Sequence, residues 1–193
     1  NEAGRPEKAA EYLKARIFNP YEGGEGILIR AHILAYIQLG RRAEGEGKWE
    51  EAIACYQKAL ALYQGDYLSE SAMEDWVLPW ANYYKRVYSS CVNALVKLLM
   101  DDGEYASAVQ VCEQAIERDP YEEILHEMLI NCLIHMGQLT QAMTHYNYIC
   151  NLLSKELGVQ PSERLQKLYK SIHQSAQDVQ HDLQAIKLSM QEE

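Results

Sequence analysis

The sequence predicts an all-α protein, a right-handed stack of antiparallel helix pairs closed by a C-terminal capping helix. Three observations predict it. First, Gly103-Glu104-Tyr105-Ala106-Ser107-Ala108-Val109 returns 34 residues later as Gly137-Gln138-Leu139-Thr140-Gln141-Ala142-Met143. Second, a further copy, Gly47-Lys48-Trp49-Glu50-Glu51-Ala52-Ile53, runs on into Ala54-Cys55-Tyr56-Gln57-Lys58-Ala59-Leu60. Third, apolar residues recur at three- and four-residue intervals, as in Leu95, Leu98, Leu99 and Leu125, Leu129, Cys132, Leu133, with no long alternation that would propose a sheet.

A period of 34 with Gly, an aromatic or Leu two residues on, and Ala five residues on is the tetratricopeptide pattern, an alpha–alpha superhelix. Each residue type has a mechanical reason. Gly ends the first helix of a pair in the left-handed conformation that other residues resist. Ala is expected where two helices cross closely, and the aromatic or Leu is expected to plug that crossing. Such repeats are scaffolds for recognition, so binding is expected rather than catalysis.

The pairs fall in register at about 33–46 with 47–63, 89–102 with 103–119, and 122–136 with 137–157. Gly26-Ile27-Leu28-Ile29-Arg30 reads either as a short strand or as a helix start. Between the first and second pairs, Gln64 to about Lys85 is an insertion, and a linking helix is expected from Trp80 to Leu99. Gly158 stops the helix before it, Pro161 breaks it, and Ser162 supplies the N-cap of the last helix. From there Leu165, Leu168, Ile172, Ala176, Val179, Leu183, Ile186 and Met190 keep a nearly heptad spacing with one stutter near Ser175. Residues 165–176 are expected to cap the repeats. Beyond them the stripe reads as a self-association arm, with Val179, Leu183, Ile186 and Met190 in its seam, or as the frayed end of the cap.

Composition narrows the function. Net charge is −10, from 18 basic and 28 acidic residues, which argues against nucleic-acid binding by this chain itself. No apolar run approaches a membrane span and no secretory signal is present, so a cytoplasmic protein without a membrane partner is expected. The five cysteines are dispersed and form no C-x-x-C pair, as buried free thiols would. The chain opens at Asn1 rather than Met, as expected of a fragment.

Chemistry-bearing motifs are weak. His126-Glu127-Met128-Leu129-Ile130 starts like a zinc-protease motif but has Ile where the second His belongs. His126, His135 and His145 therefore read as ordinary polar positions on repeat helices. Gly23-Gly24-Glu25-Gly26 lacks the Lys-Ser/Thr of a phosphate loop and reads as a turn. No nucleophile motif is present. No enzymatic activity, metal or organic cofactor is expected. Glu50-Glu51, Glu122-Glu123 and Asp101-Asp102 read as solvated or capping charges.

The aromatic skew of 14 Tyr and 3 Trp against one Phe suits semi-buried faces and interfaces. Trp76, Trp80, Tyr83, Tyr84 and Tyr88 fall at helical spacing and cannot all face one core. Part of the run anchors a partner or pins the loop 64–75 to the repeats. The inner helix faces offer Ser90, Asn93, Lys97, Glu127 and Asn131, one basic residue and no Arg, so a chaperone-adaptor role is not expected. The candidate partner interface is Trp80, Tyr83, Tyr84, Asn93, Lys97 and Asn131.

Taken in order, Gly-Lys-Trp-Glu-Glu-Ala-Ile, then Leu62-Tyr63-Gln64-Gly65-Asp66-Tyr67-Leu68, Glu74-Asp75-Trp76, two more repeats and Glu156-Leu157-Gly158-Val159-Gln160-Pro161-Ser162 resemble the bacterial transcriptional activator domain. That is the helical repeat domain of regulators similar to the streptomycete antibiotic regulatory proteins, and the resemblance covers roughly residues 31–173. It implies a protein-interaction and regulatory module of a transcription factor, with self or the transcription machinery as partner and DNA reached only through an upstream winged-helix domain. Residues 1–30 are too short for such a domain and read as an N-terminal segment, the remnant of a linker. The expected organisation is 1–30, a repeat domain over 31–176, and a helical tail over 177–193, with a homodimer as one expectation. The alternative is a free-standing adaptor docking a peptide in its concave groove.

Overall fold

In the computed structural model, residues 5–14, 25–63, 78–170 and 172–174 are described. They contain eight helices and no strand: α1 (Pro6–Lys14), α2 (Glu25–Gly45), α3 (Trp49–Leu62), α4 (Leu78–Asp101), α5 (Tyr105–Arg118), α6 (Glu123–His135), α7 (Leu139–Leu152) and α8 (163–170). A π-helical turn, Leu153–Leu157, continues α7. The tetratricopeptide-like helices fall where the repeat register places them.

The turn glycines act as expected. Gly47, Gly103 and Gly137 have φ of 72°, 81° and 72°, a region side chains resist. Around the first and third, Lys48 N–H donates to Ala43 O at 2.9 Å and Gln138 N–H to Leu133 O at 2.8 Å, the bonds that close a helix C-terminus. The alanines five residues on, Ala52, Ala108 and Ala142, are fully buried. At the first repeat the residue two after the Gly corrects the plug expected there. Trp49 is 55% exposed, while Tyr105 and Leu139 are half-buried. Of the three, Tyr105 does meet the neighbouring helix, its ring stacking on His135 of α6 at 5.0 Å, whereas Trp49 in the first turn of α3 stays at the surface.

The chain divides into two compact units, residues 1–101 and 102–193. In the first, α1 lies on α2, α2 pairs with α3, and α3 packs against α4. Helix α1 falls within the segment read as a linker remnant and buries Ala10. Helix α2 begins at Glu25, so the ambiguous Gly26–Arg30 stretch is a helix start. Ile33, Tyr36, Ile37, Tyr56 and Ala59 are buried on α2 and α3. On α4, Cys91, Val92, Leu95, Val96, Leu98 and Leu99 are buried.

In the second unit α5 packs on α6 and α6 on α7. Cys112, Ala115, Leu125, Leu129, Ile130, Cys132 and Ile149 are buried, and Leu165 and Ile172 close the core from the last helix. Gly158, at φ 65°, ends the π turn. Glu123 of α6 accepts a 2.8 Å hydrogen bond from Ser162 N–H, which fixes where α8 starts. The Tyr146 and Tyr169 rings, 4.9 Å apart, tie α8 to α7. Val179, Leu183, Ile186 and Met190 of the expected arm lie outside the described residues.

Candidate functional site

Helix α4 carries most of the residues singled out from sequence. Its first turns expose Leu78, Trp80 and Tyr83, the last two at 53% and 39%. Trp80 and Tyr83 meet edge to face with centroids 6.4 Å apart, and Tyr83 meets Tyr84 in the same way at 5.2 Å. The Arg30 guanidinium of α2 stands 5.6 Å above the Tyr84 ring, which assigns Tyr84 to the α2–α4 junction rather than to open surface. Tyr88 is likewise spent inside the unit, against Tyr63 at 4.4 Å. Trp80 and Tyr83 are thus the outward members of the run. Trp76 and the loop 64–75, which Trp76 and Trp80 were expected to pin, lie outside the described residues.

Asn93 and Lys97 stand on the same helix, about 20 Å and 26 Å along it from Trp80 by helical rise. Lys97 is exposed and Asn93 half-buried. The Asn93 Oδ1 is buried and has no hydrogen-bond partner among the described residues. Asn131 is half-buried on α6, in the other unit. Five of the six candidate residues share α4 in the first unit, and Asn131 belongs to α6 in the second.

Beside the one basic residue read from the inner faces, Lys97, a second cation reaches α4 from the neighbouring helix. Arg41 Nη2 of α2 donates to Ser90 Oγ of α4 at 3.2 Å, bringing a guanidinium onto the α4 face one turn from Asn93. Sequence spacing within a helix could not show this, because the two residues are 49 apart and meet only through the packing of their helices.

Two of the three histidines, His126 and His145, are not the ordinary polar positions expected. His126 is fully buried. Its Nε2 lies 3.0 Å from Pro120 O and its Nδ1 lies 2.8 Å from His145 Nε2. A carbonyl only accepts, so His126 Nε2 carries the proton, and its bare Nδ1 accepts from His145 Nε2–H. Burial holds both rings neutral: it lowers the pKa of His126, and burial together with His126 brings His145 down to about 4. His145 lines an open groove of about 460 Å³ between α5 and α7, floored by Leu129 and Leu133 and rimmed by Gln110, Glu113, Gln141 and Tyr148. His135, by contrast, is exposed and stacks on Tyr105 at 5.0 Å.

Three of the five thiols have little nucleophilic character. Burial pushes Cys91 and Cys112 up to about 12 and Cys132 to about 11, so all three are protonated near neutrality. Among the described residues no group of three or more His, Cys, Asp or Glu side chains could hold a metal ion. No helix among them is long and apolar enough to cross a membrane.

A family model described as the bacterial transcriptional activator domain matches residues 29–173. Among solved structures, the chain is similar to Mycobacterium tuberculosis EmbR in complex with low affinity phosphopeptide. The TM-score is 0.65 at 21% identity, over 76% of this chain and 39% of that one. It is also similar to the Hsp90 co-chaperone Cns1 from Saccharomyces cerevisiae, with a TM-score of 0.63 at 12% identity, over 85% of this chain and 45% of that one. At these identities the two likenesses speak to the helical fold alone, and the chain spans less than half of either. No curated protein matches.

Proposed function

The chain belongs to the bacterial transcriptional activator domain family, and we propose that it is the protein-interaction and regulatory module of a transcription factor, controlling an attached DNA-binding domain through partner binding or self-association. Family membership makes it a domain of transcriptional regulators. The observation that carries the finer reading is the outward pair Trp80 and Tyr83, large aromatic rings held at the surface of a helix whose other face is core. Such rings are typical anchors of a protein interface. The role of Lys97 and Asn93 as further contacts, with Asn131 contributing separately, belongs to the same reading.

The structural neighbour EmbR is described as a phosphopeptide complex, which fits a regulator that answers to protein partners. The acidic balance of the chain, net −10, suits a module that leaves DNA contact to another domain. We place that module at residues 31–176, preceded by 1–30 and followed by a helical tail over 177–193 whose stripe would serve a homodimer.

The test is made in the full-length parent protein. Trp80→Ala combined with Tyr83→Ala is expected to lower transcription from a reporter promoter at least about tenfold, the weight of a typical interface anchor pair. Operator binding by the attached domain and the melting temperature should stay near wild type. Full reporter activity in a folded double variant would reject the aromatic pair as the anchor. The adaptor reading separates on one result: a parent protein with no DNA-binding activity in any attached domain.

A further inference from the structure

We propose that the exposed face of α4 from Trp80 to Lys97, completed by Arg41 of α2, is a docking surface for a carboxylate-rich peptide segment of a partner protein. The proposal gives a chemistry to the partner-binding side of the function above and rests on it.

Charge distribution is the first observation. In a chain of net charge −10, the 24 residues of α4 include no carboxylate before Asp101 at the very end, while holding Lys85, Arg86 and Lys97. Trp80, Tyr83, Arg86, Ser90, Asn93 and Lys97 follow one another at steps of three or four residues, so they form one row along the helix. All but the half-buried Asn93 are exposed. Helical rise separates Arg86 from Lys97 by about 17 Å, the reach of about five residues of extended chain.

The second observation is how the cations are used. Elsewhere in this unit Arg42 is paired with Glu7, and Lys48 with Glu46 at 2.8 Å. Arg86 and Lys97 are in no ion pair among the described residues, and the hydrogen bond from Arg41 goes to the neutral Ser90 hydroxyl. Three positive charges therefore stand along the row with no ion-pair partner among the described residues.

Asn93 adds the third observation. Its Oδ1 is buried with no hydrogen-bond partner among the described residues, and the amide it belongs to also carries two N–H donors. The row thus presents guanidinium, ammonium and amide donors, and its complement is a series of carboxylates. The Trp80–Tyr83 pair at one end supplies the apolar anchor that charge alone does not. Nucleic acid is the poorer complement, since its affinity grows with the number of phosphates neutralised and three cations in one short row neutralise few.

The test is fluorescence anisotropy at low salt with the full chain and a labelled peptide of Asp and Glu around one Trp, long enough to span the row. Binding is expected that weakens with added salt and is lost with the Gln/Asn version of the peptide. Arg86→Glu with Lys97→Glu should weaken it roughly a hundredfold, about tenfold per reversed charge. Arg41→Gln should weaken it by a similar single step, and all these exposed substitutions should leave the thermal melt unchanged. The proposal falls if the wild-type chain does not bind, if the neutral peptide binds as well, or if the charge-reversed variant binds equally. It also falls if single-stranded DNA of matched charge competes on equal terms, or if salt-sensitive self-association through the same residues displaces the peptide. Reporter activity separates the two readings: a chain that ignores the acidic peptide while its parent still loses transcription in the Trp80/Tyr83 double variant keeps the regulatory role and loses only this partner.

Discussion

Gly40 lies in the interior of α2, where a glycine ordinarily weakens a helix by about 1 kcal/mol relative to alanine. Here it makes room: a Cβ added at Gly40 would come within 2.7 Å of the buried Tyr56 ring. That ring cannot retreat freely, because it is 1% exposed and its hydroxyl donates to Glu44 Oε2 at 2.8 Å. Gly40→Ala is therefore expected to destabilise by about 1–3 kcal/mol, the overpacking cost exceeding the helix-propensity gain. Urea unfolding checks it, and Tyr56→Phe combined with Gly40→Ala should not recover the loss, since the clash is with ring carbons. His145 sets a second expectation at this scale. Its folded-state pKa is lowered from 6.5 to about 4 by burial and by His126, so between those values the unfolded chain binds a proton that the folded chain refuses. The stability that the neutral ring contributes is complete above pH 6.5 and is lost as pH falls toward 4. His145→Gln keeps a donor for His126 but does not titrate, and it should flatten that part of the stability–pH curve measured by denaturant titration.

At the scale of elements, the start of α8 is decided by a residue far from it in sequence. Glu123, in the first turn of α6, had the look of a charge capping its own helix; its Oε2 instead accepts from Ser162 N–H. The neighbouring Arg164 approaches Glu127 to 3.9 Å, a weaker exposed pair. Glu123→Ala is expected to cost about 1–2 kcal/mol, as a charge-assisted hydrogen bond to a helix N-terminus does, while Arg164→Ala should change stability little. Chemical denaturation of the two variants side by side makes the comparison. Hydrogen exchange should show the loss concentrated in 163–170 for Glu123→Ala.

At the scale of the whole molecule, the continued 3-4 stripe of Val179, Leu183, Ile186 and Met190 motivates the dimer arm. A helix of that length is marginal in water unless it finds a surface, since isolated helices shorter than ~12–15 residues do not persist. Deleting 177–193 and measuring mass in solution by light scattering is expected to convert a dimer to a monomer. An unchanged mass would remove the arm from the mechanism and leave partner binding as the means of control.

How much of this was legible in the chain follows from distance along it. Helix pairs, left-handed turn glycines and buried alanines are local or periodic: each depends on neighbours three to five residues away, so Gly47, Gly103 and Gly137 and the alanines five residues beyond them could be placed from spacing alone. Trp49 was misjudged because spacing puts a side chain on a turn but does not say how far the facing helix reaches. The site features that mattered most join residues distant in sequence: Arg41 to Ser90 across 49 positions, Glu123 to Ser162 across 39, and His126 to His145 across 19. No periodicity encodes such meetings. They exist because packed helices bring particular turns face to face, and burial there decides which proton a histidine keeps.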